Sequence, residues 1–279
     1  MIFKTKNRKR NRLLCIAIAP ALLLSSCELI ETTPDPPDDD NDQATVTDID
    51  GNVYQTVIIG NQVWMAENLR TTRCADGQGI PGGLTDEQWD NTSDPAQAVY
   101  DPSLVEGIQN EEAMVEAYGK LYNWYAVDDL NLCPDGWRMP DDDDWDQLLS
   151  YLELEHGILN TGLDAEAGNV LKSCRQVNSP LGGHCDTSEH PRFDEDSNRY
   201  GTDEFGFGTL PGGKRFAGPL QDGEFDLLGE LGVWWSATSE LGHSYATTYS
   251  VRSNRNYFSK GVGPYPAGQS VRCIRATHH

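Results

Sequence analysis

Short runs of apolar and β-branched residues, broken by turn formers, dominate both ends of the chain. "ATVTDIDGNVYQTVIIGNQVWMAENL", residues 44–69, divides at Asp50-Gly51 and Gly60-Asn61 into three strand-like segments. Such two-residue turns between alternating runs predict a β-meander. Residues 71–110 lose the periodicity in "ADGQGIPGG" and "NTSDPAQ", which predicts loop. In "EEAMVEAYGKLYNWYAV", Met114, Tyr118, Tyr122 and Tyr125 recur at roughly helical spacing, which predicts a helix whose aromatic stripe packs into the core. Trp145, Leu148, Leu149 and Leu152 stand at i, i+3, i+4 and i+7 and predict an amphipathic helix. From residue 201 onward, "FGFGTLPGGKRF", "GVWWSATS", "SYATTYSVRS" and "SVRCIR" read as short strands between Gly, Pro and Asn turns.

Four consecutive aspartates, Asp141 to Asp144, invite a cation. The helix register gives them another task. Asp141 follows Pro140 and occupies the N-cap position, and Asp144 lies three residues on, as in a capping box. Carboxylates in a first turn also face the positive end of the helix dipole. A helix start accounts for all four. Asp48-x-Asp50-Gly51-Asn52 resembles the start of a calcium loop, but Ile59 occupies the place of its twelfth-position acidic ligand, so a hairpin is expected.

The amino terminus changes the picture of where the chain resides. Six basic residues between Lys4 and Arg12 precede an apolar run, Leu13 to Leu24, too short to span a bilayer. Leu24-Ser25-Ser26-Cys27 then resembles a lipobox. We expect a lipoprotein signal peptide over residues 1–26, lipidation of Cys27, and an acidic, Pro/Asp-rich tether over 27–44 that includes Asp38 to Asp40. The acidic tether resembles export signals of some Bacteroidota lipoproteins, so the expected location is the outer membrane, lipid-anchored and exposed on the cell surface. Residues 45–276 are long enough for one core and show no second linker, which predicts a single domain.

The whole sequence carries 44 acidic against 21 basic residues, a formal charge of −23. That surface repels nucleic acid, and the lipid anchor is the expected membrane contact. "DEDSNRYGTDE", residues 194–204, reads as a solvated acidic loop; calcium is the alternative there, through Asp194, Asp196, Asp203 and Glu204. No other cofactor is expected.

Of seven cysteines, Cys15 leaves with the leader and Cys27 takes lipid, so Cys74, Cys133, Cys174, Cys185 and Cys273 remain. Disulfides are expected in an oxidising compartment: Cys174 with Cys185 across a short loop, and Cys133 with Cys273 from the helix start to the last strand. Cys74 is left over. Zinc is the alternative, weakened by the lack of any C-x-x-C pair and by the isolation of His184 beside Cys185.

Six ordered blocks, "DIDGNVYQTVIIGNQVWMAENL", "YGKLYNWYAV", "LCPDGWRMPDDDDWDQL", "FGFGTLPGG", "GVWWSATS" and "SVRCIR", resemble the Fibrobacter succinogenes major paralogous domain. "LKSCRQVNSPLGGHCDTSEHPRF" looks like an insertion shared by a subset of that family, which supports the Cys174–Cys185 pair. The family looks related in turn to formylglycine-generating proteins and the C-type-lectin-like fold. The resemblance implies an α+β domain: a twisted antiparallel sheet, two helices, long irregular loops and neighbouring termini. It does not carry over an activity. The oxidase of that superfamily needs two C-terminal cysteines, whereas Cys273 stands alone in the last eighty residues, and the calcium-binding tripeptides of sugar-binding C-type lectins are absent.

No nucleophile elbow, zinc-protease or P-loop pattern occurs, so no enzyme is expected. The expected function is a non-catalytic binding or adhesion module for a glycan, an envelope polymer or a surface protein. Alternatives are a self-associating structural component of the envelope or a degenerate formylglycine-generating-type oxidase.

Overall fold

The computed structural model describes residues 45–162, 165–217, 223–239 and 244–276. The expected leader, the expected lipidation position Cys27 and the expected tether lie outside the described residues. The meander forms where its pattern places it. Strands β1 (Thr45–Thr47), β2 (Val53–Ile59) and β3 (Gln62–Met65) pair antiparallel, with Trp64 opposite Val57. Asp48 closes the first turn: its carboxylate accepts the Asp50 and Asn52 amides, each at 2.9 Å, and the Tyr54 hydroxyl at 2.6 Å. That is a hairpin, as expected.

The stretch predicted as loop contains a six-residue helix, α1 (Asp86–Asn91), with a Thr85/Gln88 capping box, then β4 (Gln97–Ala98) and a 3-10 turn, Pro102–Leu104. The next segment corrects the sequence reading. Instead of one helix there are α2 (Glu111–Tyr118), β5 (Leu121–Tyr122) and α3 (Trp124–Asp129). Gly119 stops α2 at φ 75, where a Cβ would lie 2.7 Å from the Asn68 side chain, and Asn123 caps α3 through Ala126 N. The aromatic stripe is buried nonetheless at Tyr118 and Tyr122.

Strand β6 (Trp137–Arg138) leads into the predicted amphipathic helix, α4 (Asp142–His156). A five-residue helix, α5 (Ala167–Leu171), and a 3-10 turn, Gly183–Cys185, precede the strand-rich end. That end comprises β7 (Gly212–Arg215), β8 (Phe225–Leu228), β9 (Leu231–Ser239), β10 (Tyr245–Arg252), β11 (Ser259–Pro264), β12 (Gln269–Ser270) and β13 (Ile274–Arg275). The described residues thus form a mixed α+β structure, mostly antiparallel sheet. Among the described residues there are five α-helices rather than the two expected, because α1, α3 and α5 are too short to show a helical period.

One sheet runs β1-β2-β3-β13-β6 and the other β11-β10-β9-β12-β5-β4, with β7-β8 as a separate hairpin. Strand β13 lies between β3 and β6, so the end of the domain completes the sheet that its beginning starts. Strand β9 divides the interior. Successive side chains of a strand point to opposite faces, so Trp234 enters one core with Trp64, Trp145 and Phe207, while Trp235 enters another with Tyr122 and Trp124. Arg272 is fully buried with its guanidinium 4.6 Å from the Phe207 ring centre, and it donates to the Phe207 and Gly208 carbonyls.

Candidate functional site

The most promising concavity is a cleft of about 420 Å³ assembled from three distant segments. The chain after β4 brings Tyr100, Asp101, Leu104 and Glu106; the loop before the hairpin brings His190, Arg192 and Asp194; β8 and its exit bring Phe225 to Glu230. Tyr100 and Phe225 form an aromatic pair with ring centres 4.8 Å apart. The Tyr100 hydroxyl donates to the Asp226 carbonyl at 2.5 Å, a position tolerated because Gly213, at φ 62, has no side chain to collide with it. Leu227 adopts φ 65, an unusual conformation for a bulky residue, of the kind that gathers at ligand-contacting surfaces.

His190 forms the wall between this cleft and a neighbouring groove of about 660 Å³ beside α2. Its Nε2 lies 3.0 Å from the Glu106 carbonyl, which can only accept. Nε2 therefore carries the proton, and Nδ1 accepts from the Tyr118 hydroxyl at 2.5 Å. Burial, aided by nearby Arg192 and Arg175, holds the imidazole below its ordinary pKa against the Glu106 bond. Burial also pushes Tyr118 up to about 12. A neutral His190 leaves Arg192 facing the carboxylates of Asp101, Glu106, Asp194, Asp226 and Glu230, so the cleft is acidic.

The cysteines form the pairs expected: Cys133 with Cys273, and Cys174 with Cys185. Cys74 is free and buried. Its thiol donates to Asp76 at 2.9 Å, and burial raises its pKa, so it is a poor nucleophile. His184 is not isolated, contrary to the sequence reading. Its Nε2 lies 3.7 Å from Cys174 Sγ and 3.6 Å from Cys185 Sγ.

The model of the Fibrobacter succinogenes major domain matches residues 57–275, most of the chain. The chain belongs to that family. No curated protein and no solved structure was found to match it. In this Fibrobacter succinogenes major domain the shared blocks supply chiefly core and cross-link. Trp64, Trp145, Trp234 and Cys273 are all buried.

The aspartate run of the domain divides its labour. Asp141 and Asp144 complete the capping box, and Asp144 also takes both Arg138 guanidinium nitrogens, at 2.5 and 2.8 Å. Asp142 fastens α4 to the sheet through Ser236 at 2.7 Å and Lys260 at 3.0 Å. Only Asp143 is simply exposed. The calcium candidates do not converge. Asp194 lines the cleft, Asp196 accepts the Asn198 and Arg199 amides, Asp203 accepts the Gly208 amide, and Glu204 accepts from Thr202. Among the described residues, only Cys174, His184 and Cys185 bring three metal-ligating groups together. Sequence reasoning missed Tyr100, His190, Asp226 and Leu227, for no local pattern joins segments this far apart.

Proposed function

We propose that this protein is a non-catalytic binding module on a C-type-lectin-like fold, lipidated at Cys27 and displayed from the outer membrane at the cell surface. We take its ligand to be a neutral or amine-bearing glycan. The observation that carries this reading is the acidic, aromatic-edged cleft around Tyr100, Phe225 and His190. Its volume falls within the usual range for small-ligand sites, about 300–1,000 Å³. Carboxylates can accept from sugar hydroxyls or ammonium groups, while the apolar edge of Tyr100, Leu104 and Phe225 offers C–H faces a surface. Anionic polysaccharides meet repulsion from both the cleft and the acidic chain. Both His190 nitrogens are already engaged, which favours binding over proton transfer.

The test is a glycan array probed with the full chain, with and without calcium. Neutral or amine-bearing glycans should bind, and Asp194→Asn with Glu230→Gln should weaken that binding by about tenfold, the scale of a contact worth roughly 1.4 kcal/mol. Silence across the array, or binding indifferent to both substitutions, overturns the reading. Concentration-dependent oligomers without glycan binding would favour a self-associating envelope component instead.

A further inference from the structure

The loop between α5 and the hairpin holds a group of side chains that the cleft does not use. Cys174 and Cys185 are buried beside an exposed His184, and one potential ligand atom from each residue lies within 4.8 Å of the other two. In a tetrahedral site with Zn–S near 2.3 Å and Zn–N near 2.1 Å, the S···N edge is about 3.6 Å. The two edges here measure 3.7 and 3.6 Å. His184 therefore already stands where a third ligand belongs, and what closes the site is the covalent bond between the sulfurs.

The main chain keeps these positions together by other means. The Gln176 amide donates to the Cys185 carbonyl at 3.0 Å, and the Thr187 amide to the Gln176 carbonyl at 3.0 Å. The Cys185 amide closes its own 3-10 turn onto Gly182, and the Phe193 amide holds Arg175 at 2.8 Å. None of these bonds passes through the cysteine sulfurs, and the Cα atoms of Cys174 and Cys185 lie 5.1 Å apart.

We propose that Cys174, His184 and Cys185 form a zinc site gated by thiol–disulfide exchange. A dithiol reductant supplies two electrons and two protons. Its first thiolate attacks one sulfur and forms a mixed disulfide; its second thiolate resolves this and leaves as the oxidised dithiol, with Cys174 and Cys185 as thiols. Zn²⁺ then displaces both thiol protons and forms two Zn–S bonds and one Zn–N bond to His184 Nε2. The two thiolates neutralise the ion, and solvent takes the fourth position on the exposed side. An oxidised dithiol runs the exchange in reverse: it accepts the two electrons and takes two protons from solvent, the Cys174–Cys185 bond re-forms, and Zn²⁺ is released.

The test uses the full chain carrying Cys74→Ser, to remove the unpaired thiol, with zinc competed against a chromophoric chelator before and after dithiol treatment. Alkylation and mass mapping identify which disulfide has opened, and tryptophan fluorescence verifies that the core persists. One zinc per chain is expected after reduction of Cys174–Cys185, and none before. His184→Ala should weaken that binding by at least about tenfold, the scale on which even supporting groups act. Cys174→Ser with Cys185→Ser should abolish it. The proposal is overturned if the reduced chain takes up no zinc, if His184→Ala binds as tightly as its parent, or if uptake persists in the double serine variant.

Discussion

Asp50 shows how much one carboxylate can organise. Although burial works against its charge, it accepts the Thr72 amide at 2.5 Å, the Arg73 guanidinium at 2.5 Å, and the Thr72 and Thr71 hydroxyls at 2.9 and 3.1 Å. The net effect lowers its pKa to about 2. An unfolded aspartate titrates near 3.9. The stabilisation is therefore complete above about pH 4 and is lost as pH falls through the interval towards 2. We expect Asp50→Asn to be less stable than the parent at pH 7 and to lose less between pH 4 and pH 2; parallel urea midpoints across that interval would refute this. In the aspartate run, Asp141→Ala should cost about 0.5–2 kcal/mol through the lost N-cap. Asp143→Ala should stay within about 0.5 kcal/mol. Urea denaturation of both variants compares a bonded carboxylate with an exposed one. The cap was legible in the sequence because both partners lie within one helical turn. Asp142's contacts with Ser236 and Lys260 were not, since only the fold brings those positions together.

At the scale of elements, the longest helix was legible and the broken one was not. The α4 pattern continues for fifteen residues and buries one face, with Trp145 stacked on Tyr249 at 5.0 Å and on Phe258 at 5.8 Å. We expect Trp145→Ala to cost roughly 3–5 kcal/mol, readable as a lowered denaturation midpoint. Residues 111–127 mimicked helical spacing because two short helices and a strand happen to place Met114, Tyr118 and Tyr122 inward in turn. Gly119 was the available warning, since glycine with positive φ commonly ends a helix. "GVWWSATS" was read as a strand, and β9 is that strand; its burial on both faces, with adjacent Trp234 and Trp235 in different cores, emerges only from the fold.

For the whole molecule, the cross-links were foreshadowed, while the division of the expected single core into two and the cleft were not. Its walls come from three segments separated by tens of residues, and what unites them is the path of the chain. The two disulfides should differ in worth. Cys133–Cys273 spans 140 residues and Cys174–Cys185 only 11. The chain-entropy relation gives about 5 kcal/mol for the first and about 3 kcal/mol for the second. Thermal unfolding of the paired serine variants should therefore show the larger drop for Cys133→Ser with Cys273→Ser; equal drops would contradict the relation here. The placement of β13 between β3 and β6 has a further consequence, in time rather than in space. A growing chain can form the first hairpin early, but the gap beside β3 stays open until Ile274 and Arg275 have been made. Only once those two residues have been made can this sheet close, and a product cut short before them keeps an unfilled edge that marks it as unfinished.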